Sequence, residues 1–215
     1  MMMIPRHKLV RHTFSWLAVE LLAATIAFAF AFNSIDARQK DQIAATDRIT
    51  LPGLSNAARV SNTLYRGAQP HPEGFAELKK LGIAVVVDFR DGSGGIHKEK
   101  ERVEAQGMTF VSIPWNAHHD PSRDVITTFF ATLHDNPGKK IFVHCERGAD
   151  RTGTMIALYR ITYDHWTPDQ AVREMNAFHY WSSLLPHLAR YVEAFPTTLA
   201  NDPSLAGQAL PTTQR

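Results

Sequence analysis

Residues 140–163, KIFVHCERGADRTGTMIALYRITY, restrict the fold of this chain more than any other stretch. The opening KIFV is a short apolar run containing β-branched residues, the pattern of a buried strand. Residues 154–163 read as an apolar helix. Between them lies a tight loop with two glycines. A strand, a tight loop and a helix N-terminus bring backbone N–H groups and the positive end of the helix dipole to one point, which makes an anion site.

The side chains on that loop suit it to a phosphoryl group. Cys145 is the only cysteine in 215 residues, so it has no intramolecular disulfide partner. A free thiol is only slightly ionised at neutral pH, and a helix N-terminus with a nearby guanidinium raises the thiolate fraction. Arg151, six positions on, can grip two phosphoryl oxygens with its planar fork. The Thr152 hydroxyl can donate to the sulfur, and Gly148 and Gly153 let the backbone close around an anion. His144, Glu146, Arg147, Gly148, Ala149, Asp150 and Gly153 complete the set expected around the substrate. A lone cysteine is ordinarily an inert core residue. Here strand, loop and helix signals all agree with the reactive reading.

HCERGADRTG resembles the HCxxGxxR(S/T)G signature of the cysteine-based protein tyrosine and dual-specificity phosphatases, which fixes six positions in ten. The resemblance covers roughly residues 62–195. It includes NTLYRGAQP at 62–70 and WTPDQAVREM at 166–175, which is similar to the helix after the active-site helix in small dual-specificity phosphatases. The bacterial and plant-fungal atypical branch is the most similar. The resemblance implies phosphomonoester hydrolysis through a phosphocysteine, with a general-acid aspartate supplied by a loop on the same rim of the sheet.

Strand and helix signals alternate along the body of the chain. Residues 64–65 begin a strand, 73–81 form a short helix, and 83–89 (IAVVVDF) form a strand buried on both faces. Then come a charged helix at 98–106, a strand at 108–113 and a helix at 124–134. A capping box at Thr167 and Gln170 opens another helix, and residues 181–195 give the last, kinked near Pro186. This pattern predicts an α/β fold: a central, mostly parallel sheet of four to five strands, helices on both faces, and the phosphate loop after a central strand. Asp88, Arg90 and Asp91 fall at a strand's C-terminal end, where ion-pairing or turn-capping roles are favoured over substrate contact.

Residues 114–122 (PWNAHHDPS) are the loop expected to carry the acid. Asp120 is the first choice and Asp124 the second, with no carboxylate acid as the third reading. The competing structural role for Asp120 is an N-cap before Pro121 at the first helical position. Trp115 and the two histidines are read as a substrate wall or, for Trp115, as core. His118, His119 and Asp120 have no second cluster at ligand spacing, so neither metal nor cofactor is expected.

Four segments follow: 1–32 a signal peptide or membrane anchor, 33–58 a linker, 59–195 the phosphatase domain, and 196–215 a disordered tail. Arg6, Lys8 and Arg11 precede the apolar run 13–32, which is interrupted by Glu20 and carries Ala27/Ala29 and Ala29/Ala31 as cleavage-like pairs. Retained, that run is about long enough to contact or span a bilayer; either way the domain is expected outside the cytoplasm, exported, periplasmic, secreted or anchored. A net charge of +2 argues against nucleic acid as a partner. The partner is instead a phosphorylated substrate, phosphotyrosine or another singly phosphorylated ester, because Glu146 and Asp150 repel a densely charged inositol polyphosphate. A non-catalytic phosphate-binding pseudophosphatase is the alternative. A rhodanese-type sulfurtransferase is a weaker one, because the Arg-Thr-Gly ending does not suit it.

Overall fold

Continuous runs of Val, Ile and Phe place the sheet's centre, and a polar hairpin extends its edge. The computed structural model describes residues 47–92 and 95–206. In chain order the elements are β1 (Asp47–Leu51), β2 (Leu54–Arg59), β3 (Leu64–Ala68), α1 (Gly74–Lys80), β4 (Ile83–Asp88), α2 (Ile96–Ala105) and β5 (Thr109–Ser112). There follow α3 (Arg123–His134), β6 (Lys140–Cys145), α4 (Asp150–Tyr163), α5 (Pro168–Ala177), α6 (Pro186–Asn201) and a 3-10 turn, Pro203–Ala206. The sheet has six strands in the order β1-β2-β3-β6-β4-β5. Its four-strand parallel part, β3-β6-β4-β5, is the sheet expected from the sequence, and β1 and β2 add antiparallel strands beside β3.

Period-two alternation sorts the sheet's side chains into two cores. Val85, Val87, Ile141 and Val143 join residues of α3, α4, α5 and α6 in one. Val86 and Phe142 face the other way, with Phe75 and Leu78 of α1 and Val103 of α2. Burying both faces explains why β4 and β6 read as unbroken apolar runs rather than as alternation.

Three boundaries outside the phosphate loop differ from those the sequence predicts. Within the supposed linker 33–58, residues 47–58 belong to the β1–β2 hairpin, closed by Pro52 and Gly53 between the paired Leu51 and Leu54. Polar residues and the left-handed backbone of Asn56 (φ 48°) break the alternation that would have revealed it. Helix α3 is capped by Ser122, whose Oγ accepts from the Val125 N–H at 3.3 Å, and not by Asp120. The supposed tail 196–215 is helical through Asn201, with Pro196 inside α6, and Leu205 of the following turn is buried in the core. Arg123 holds that turn through Asp202 at 2.9 Å and Ser204 at 2.7 Å. The capping box is present: Gln170 N–H donates to Thr167 Oγ1, and Thr167 N–H donates to Gln170 Oε1. The segment 1–32 and residues 207–215 lie outside the described residues.

Candidate active site

Register brings the chemistry to one rim. Ala68 of β3 pairs with Cys145, and Asp88 of β4 pairs with His144, so the C-terminal ends of β3, β6 and β4 meet there. Cys145 ends β6, and α4 begins at Asp150, four residues earlier than the sequence suggested. Asp150, Arg151 and Thr152 therefore occupy the helix's first turn, where N–H groups lack intrahelical acceptors.

The two motif glycines have different roles. Gly148 has φ +68°, and a Cβ built there would sit 2.4 Å from the Gly67 carbonyl carbon and oxygen. The loop thus lies directly on the β3 backbone. Gly153 is inside the helix, its N–H bonded to the Ala149 carbonyl at 2.8 Å, and a Cβ there would meet nothing closer than 3.5 Å. Its expected part in closing the loop is taken by Gly148 alone.

A cavity of about 160 Å³ opens above the loop, lined by Ala117, His118, Trp181, Leu184, Leu185 and by Cys145, Glu146, Arg147, Asp150 and Arg151. Nucleophile and guanidinium thus share one small space. Arg151 Nη1 donates to Asp91 Oδ1 at 2.7 Å and to the Trp115 carbonyl at 3.4 Å, which fixes its fork. Asp150 Oδ1 accepts from the Trp181 N–H at 2.9 Å, and its Oδ2 accepts from Arg147 at 3.3 Å. Arg147 also donates to the His179 carbonyl at 3.1 Å and lies 4.9 Å from the Trp181 ring. Trp181 and Leu184 are half-exposed, at 50% and 53%, and make an apolar lip.

His144 is not in the cavity wall but fully buried beneath it. Its Nε2 lies 2.7 Å from Glu99 Oε1, and its Nδ1 is 3.2 Å from the Cys145 carbonyl oxygen. Arg90 donates to both oxygens of Asp88 and to Glu99 Oε2. Burial lowers the Arg90 pKa, but the hydrogen bond and charge of Asp88, with Glu99 behind them, outweigh it and leave it raised. Asp88, Glu99 and His144 have cation-binding spacing, yet the Arg90 guanidinium already occupies both carboxylates. Ala149 and Thr152 are buried. The Thr152 Oγ1 makes no hydrogen bond among the described residues.

The residues of the 114–122 loop, expected to carry the acid, divide. His118 lines the cavity, while Asp120 is exposed and absent from the wall. Burial raises the pKa of Tyr191 on α6, and the charge of Asp120 raises it further. Asp124 sits in the first turn of α3. Trp115 is core, buried with Phe89 and Phe129. Asp91, for which the sequence favours an ion pair or a turn cap over lining the pocket, pairs with Arg151 itself at 2.7 Å.

The hairpin braces the loop from outside. Asn56 Nδ2 donates to the Arg147 carbonyl at 3.1 Å and the Phe178 carbonyl at 3.0 Å, and Arg48 donates to Asn56 Oδ1 at 3.0 Å. No spacing rule could have nominated Asn56.

A strand ending in a buried cysteine, a loop pressed on its neighbour, and a helix with an arginine in its first turn define the cysteine-based phosphatase class. A family profile described as "DSP-PTPase phosphatase fused to NAD+ Kinase" matches residues 39–182, and the chain belongs to that family. The dual specificity protein phosphatase TpbA of Pseudomonas aeruginosa is 30% identical over 123 residues, which is 56% of this chain and 53% of that protein. The chain therefore spans about half the length of this curated relative. Crystal structures share the fold. A cysteine-to-serine variant of P. aeruginosa TpbA in complex with pTyr superposes with a TM-score of 0.59 at 24% identity, over 73% of this chain and 97% of that one. The catalytic core of the PP-IP phosphatase SIW14 from S. cerevisiae gives 0.57 at 17%, over 75% and 99%.

Proposed function

We propose that this chain hydrolyses phosphomonoesters, favouring phosphotyrosine or another singly phosphorylated ester. The observation that carries the reading is the shared cavity of Cys145 and Arg151 at the N-terminus of α4. The Cys145 sulfur attacks phosphorus in line and forms an S–P bond as the ester oxygen leaves. Arg151 and the loop amides hold the equatorial oxygens. Water then cleaves the phosphocysteine, and the unpartnered Thr152 hydroxyl donates to the departing sulfur.

The leaving oxygen takes its proton from the 114–122 loop. Asp120 is the carboxylate of that loop and His118 its group on the cavity wall. Phosphatase assays on an aryl and an alkyl phosphate, with Asp120→Asn and His118→Asn beside wild type, assign the role. The acid's variant loses far more on the alkyl ester, whose leaving group is the poorer one. Equal losses on both esters in both variants remove this loop from proton transfer.

Three features favour a single phosphate on an aromatic stem. Trp181 and Leu184 offer an apolar lip, the cavity is small, and Glu146 stands exposed at its mouth. Asp150 contributes less repulsion than its charge suggests, because Arg147 and the Trp181 N–H hold its carboxylate. TpbA was crystallised with pTyr, which fits this preference; SIW14 is described as acting on PP-IP. Turnover of an inositol polyphosphate, with none on phosphotyrosine peptides, would overturn the preference. We assign the domain to a compartment outside the cytoplasm from the basic and then apolar residues 6–32. Among the described residues no helix is long and apolar enough to cross a membrane. Fractionating cells that express the full chain tests the assignment, and activity confined to the cytosol refutes it.

A further inference from the structure

Arg66 lies on β3 opposite Val143 of β6, beneath the loop rather than in the cavity. It has no exposed surface, although arginine is almost never fully buried without a partner. Of its five N–H donors, Nη2 donates to the Gly148 carbonyl at 2.9 Å. Nε and Nη1 have no hydrogen-bond partner among the described residues. The guanidinium stacks 3.7 Å from the centre of the Phe178 ring, which carries the Arg48 guanidinium at the same distance. A Cβ on Gly153 would lie 3.7 Å from Nη2, so the group also abuts α4.

The surrounding charges do not neutralise it. Glu174 is the carboxylate whose field it feels most, but Arg160 holds Glu174 at 2.9 Å. Arg160 also takes Asp164 at 2.7 Å. Arg160 thus takes the carboxylate that acts on Arg66 most strongly, and among the described residues Arg66 makes no ion pair of its own. A buried charge of this kind is tolerable when an opposite charge faces it. After Glu174, Cys145 is the group whose negative charge would favour the Arg66 guanidinium.

We propose that Arg66 is a positioning residue of the phosphate loop: it pins the Gly148 carbonyl from below and supplies a buried positive charge to the anion held above. This rests on the reading of the loop as a phosphoryl site. Burial draws the Arg66 pKa down to about 10, with Glu174 and Cys145 pulling it back up, so the charge persists at neutral pH. Neither Arg147, tied to the lip, nor Arg151, clamped by Asp91, duplicates a cation fixed under the loop.

The experiment compares alkylation of Cys145 by iodoacetate and by iodoacetamide at neutral pH, in full-length wild type, Arg66→Met and Arg66→Lys. The rate ratio of the anionic to the neutral reagent reports positive potential at the sulfur. A merely loosened loop alters both rates by the same factor. The ratio is expected to fall about tenfold in Arg66→Met and to be largely kept in Arg66→Lys, with kcat/KM for an aryl phosphate following it. An unchanged ratio in Arg66→Met overturns the proposal, and so does an equal fall in Arg66→Lys. If Arg66→Met does not melt cooperatively, Arg66→Gln carries the same comparison. Absence of aryl phosphatase activity in wild type would defeat the phosphatase reading instead, and the alkylation ratio would still decide the role of Arg66.

Discussion

Gly148→Ala tests whether the loop's contact with β3 sets the geometry of the site. Two costs add. A side chain at φ +68° meets the left-handed penalty, about 1–2 kcal/mol. The new Cβ also falls 2.4 Å from backbone atoms of Gly67, which cannot rotate away as a side-chain tip could. Overpacking of this kind costs about 1–3 kcal/mol, so the sum is about 3 kcal/mol. For a chain of this size that lowers Tm by about 10 °C. Ordinary contact begins at 3.4 Å, so the loop must rise by about 1 Å, a displacement that can cost about 100-fold in rate. Gly138→Ala is the control, because it shares the positive φ (+73°) and has open space around its Cβ. Thermal melts and kcat/KM on an aryl phosphate should show a loss of about 1 kcal/mol without loss of rate for Gly138→Ala. Equal destabilisation by the two substitutions, with activity kept in both, would refute the argument that contact with Gly67 fixes the loop.

Two further outcomes follow from the charged groups that hold the loop. Asp91→Asn frees the fork of Arg151 and also removes a carboxylate that repels the substrate dianion. Steady-state kinetics should therefore show kcat reduced about fivefold with no rise in KM, and a raised KM at unchanged kcat contradicts this. Burial draws the pKa of Arg66 down to about 10 in the folded chain, below its value in the unfolded one. The unfolded chain binds the extra proton between those values. The burial cost is thus borne in full at neutral pH and relieved only as pH rises past 10. The bond to Gly148 and the stack on Phe178 offset part of that cost at every pH at which the guanidinium is charged. Relative to Arg66→Met, wild type should therefore gain stability as pH rises past about 10. Urea midpoints at neutral and at raised pH measure this, and a difference between the two proteins that does not change with pH refutes it.

What the sequence disclosed and what it hid divide by the range of the interactions. The order β-strand, loop, helix at 140–163 was legible because cysteine, glycine and arginine meet there within ten residues and the flanking runs are apolar. The parallel strands were legible because burial on both faces leaves unbroken Val and Ile. Helix starts were less so: Asp120-Pro121 imitates a cap, and Ser122 is the cap in fact. The hairpin at 47–59 escaped because its edge is polar and Asn56 interrupts its period. Residues 196–206 escaped because their order comes from the distant Arg123 and from a single buried Leu205.

The same division runs through the site. Its cysteine and its phosphate-binding groups are neighbours in sequence, but the groups that hold them still come from far away. Arg66 is 82 residues from Gly148, Asn56 is 91 from Arg147, and Asp91 is 60 from Arg151. Asp150 and Arg147 then bind Trp181 and His179, so the α5–α6 lip is tied to the loop by side chains that a motif reading assigns to substrate. A site built in this way reads as chemistry from ten residues, yet its precision depends on a scaffold whose partners are polar, scattered and without period. Substitutions in the motif should therefore abolish turnover, whereas those in the scaffold should grade it, lowering kcat before they unfold the chain.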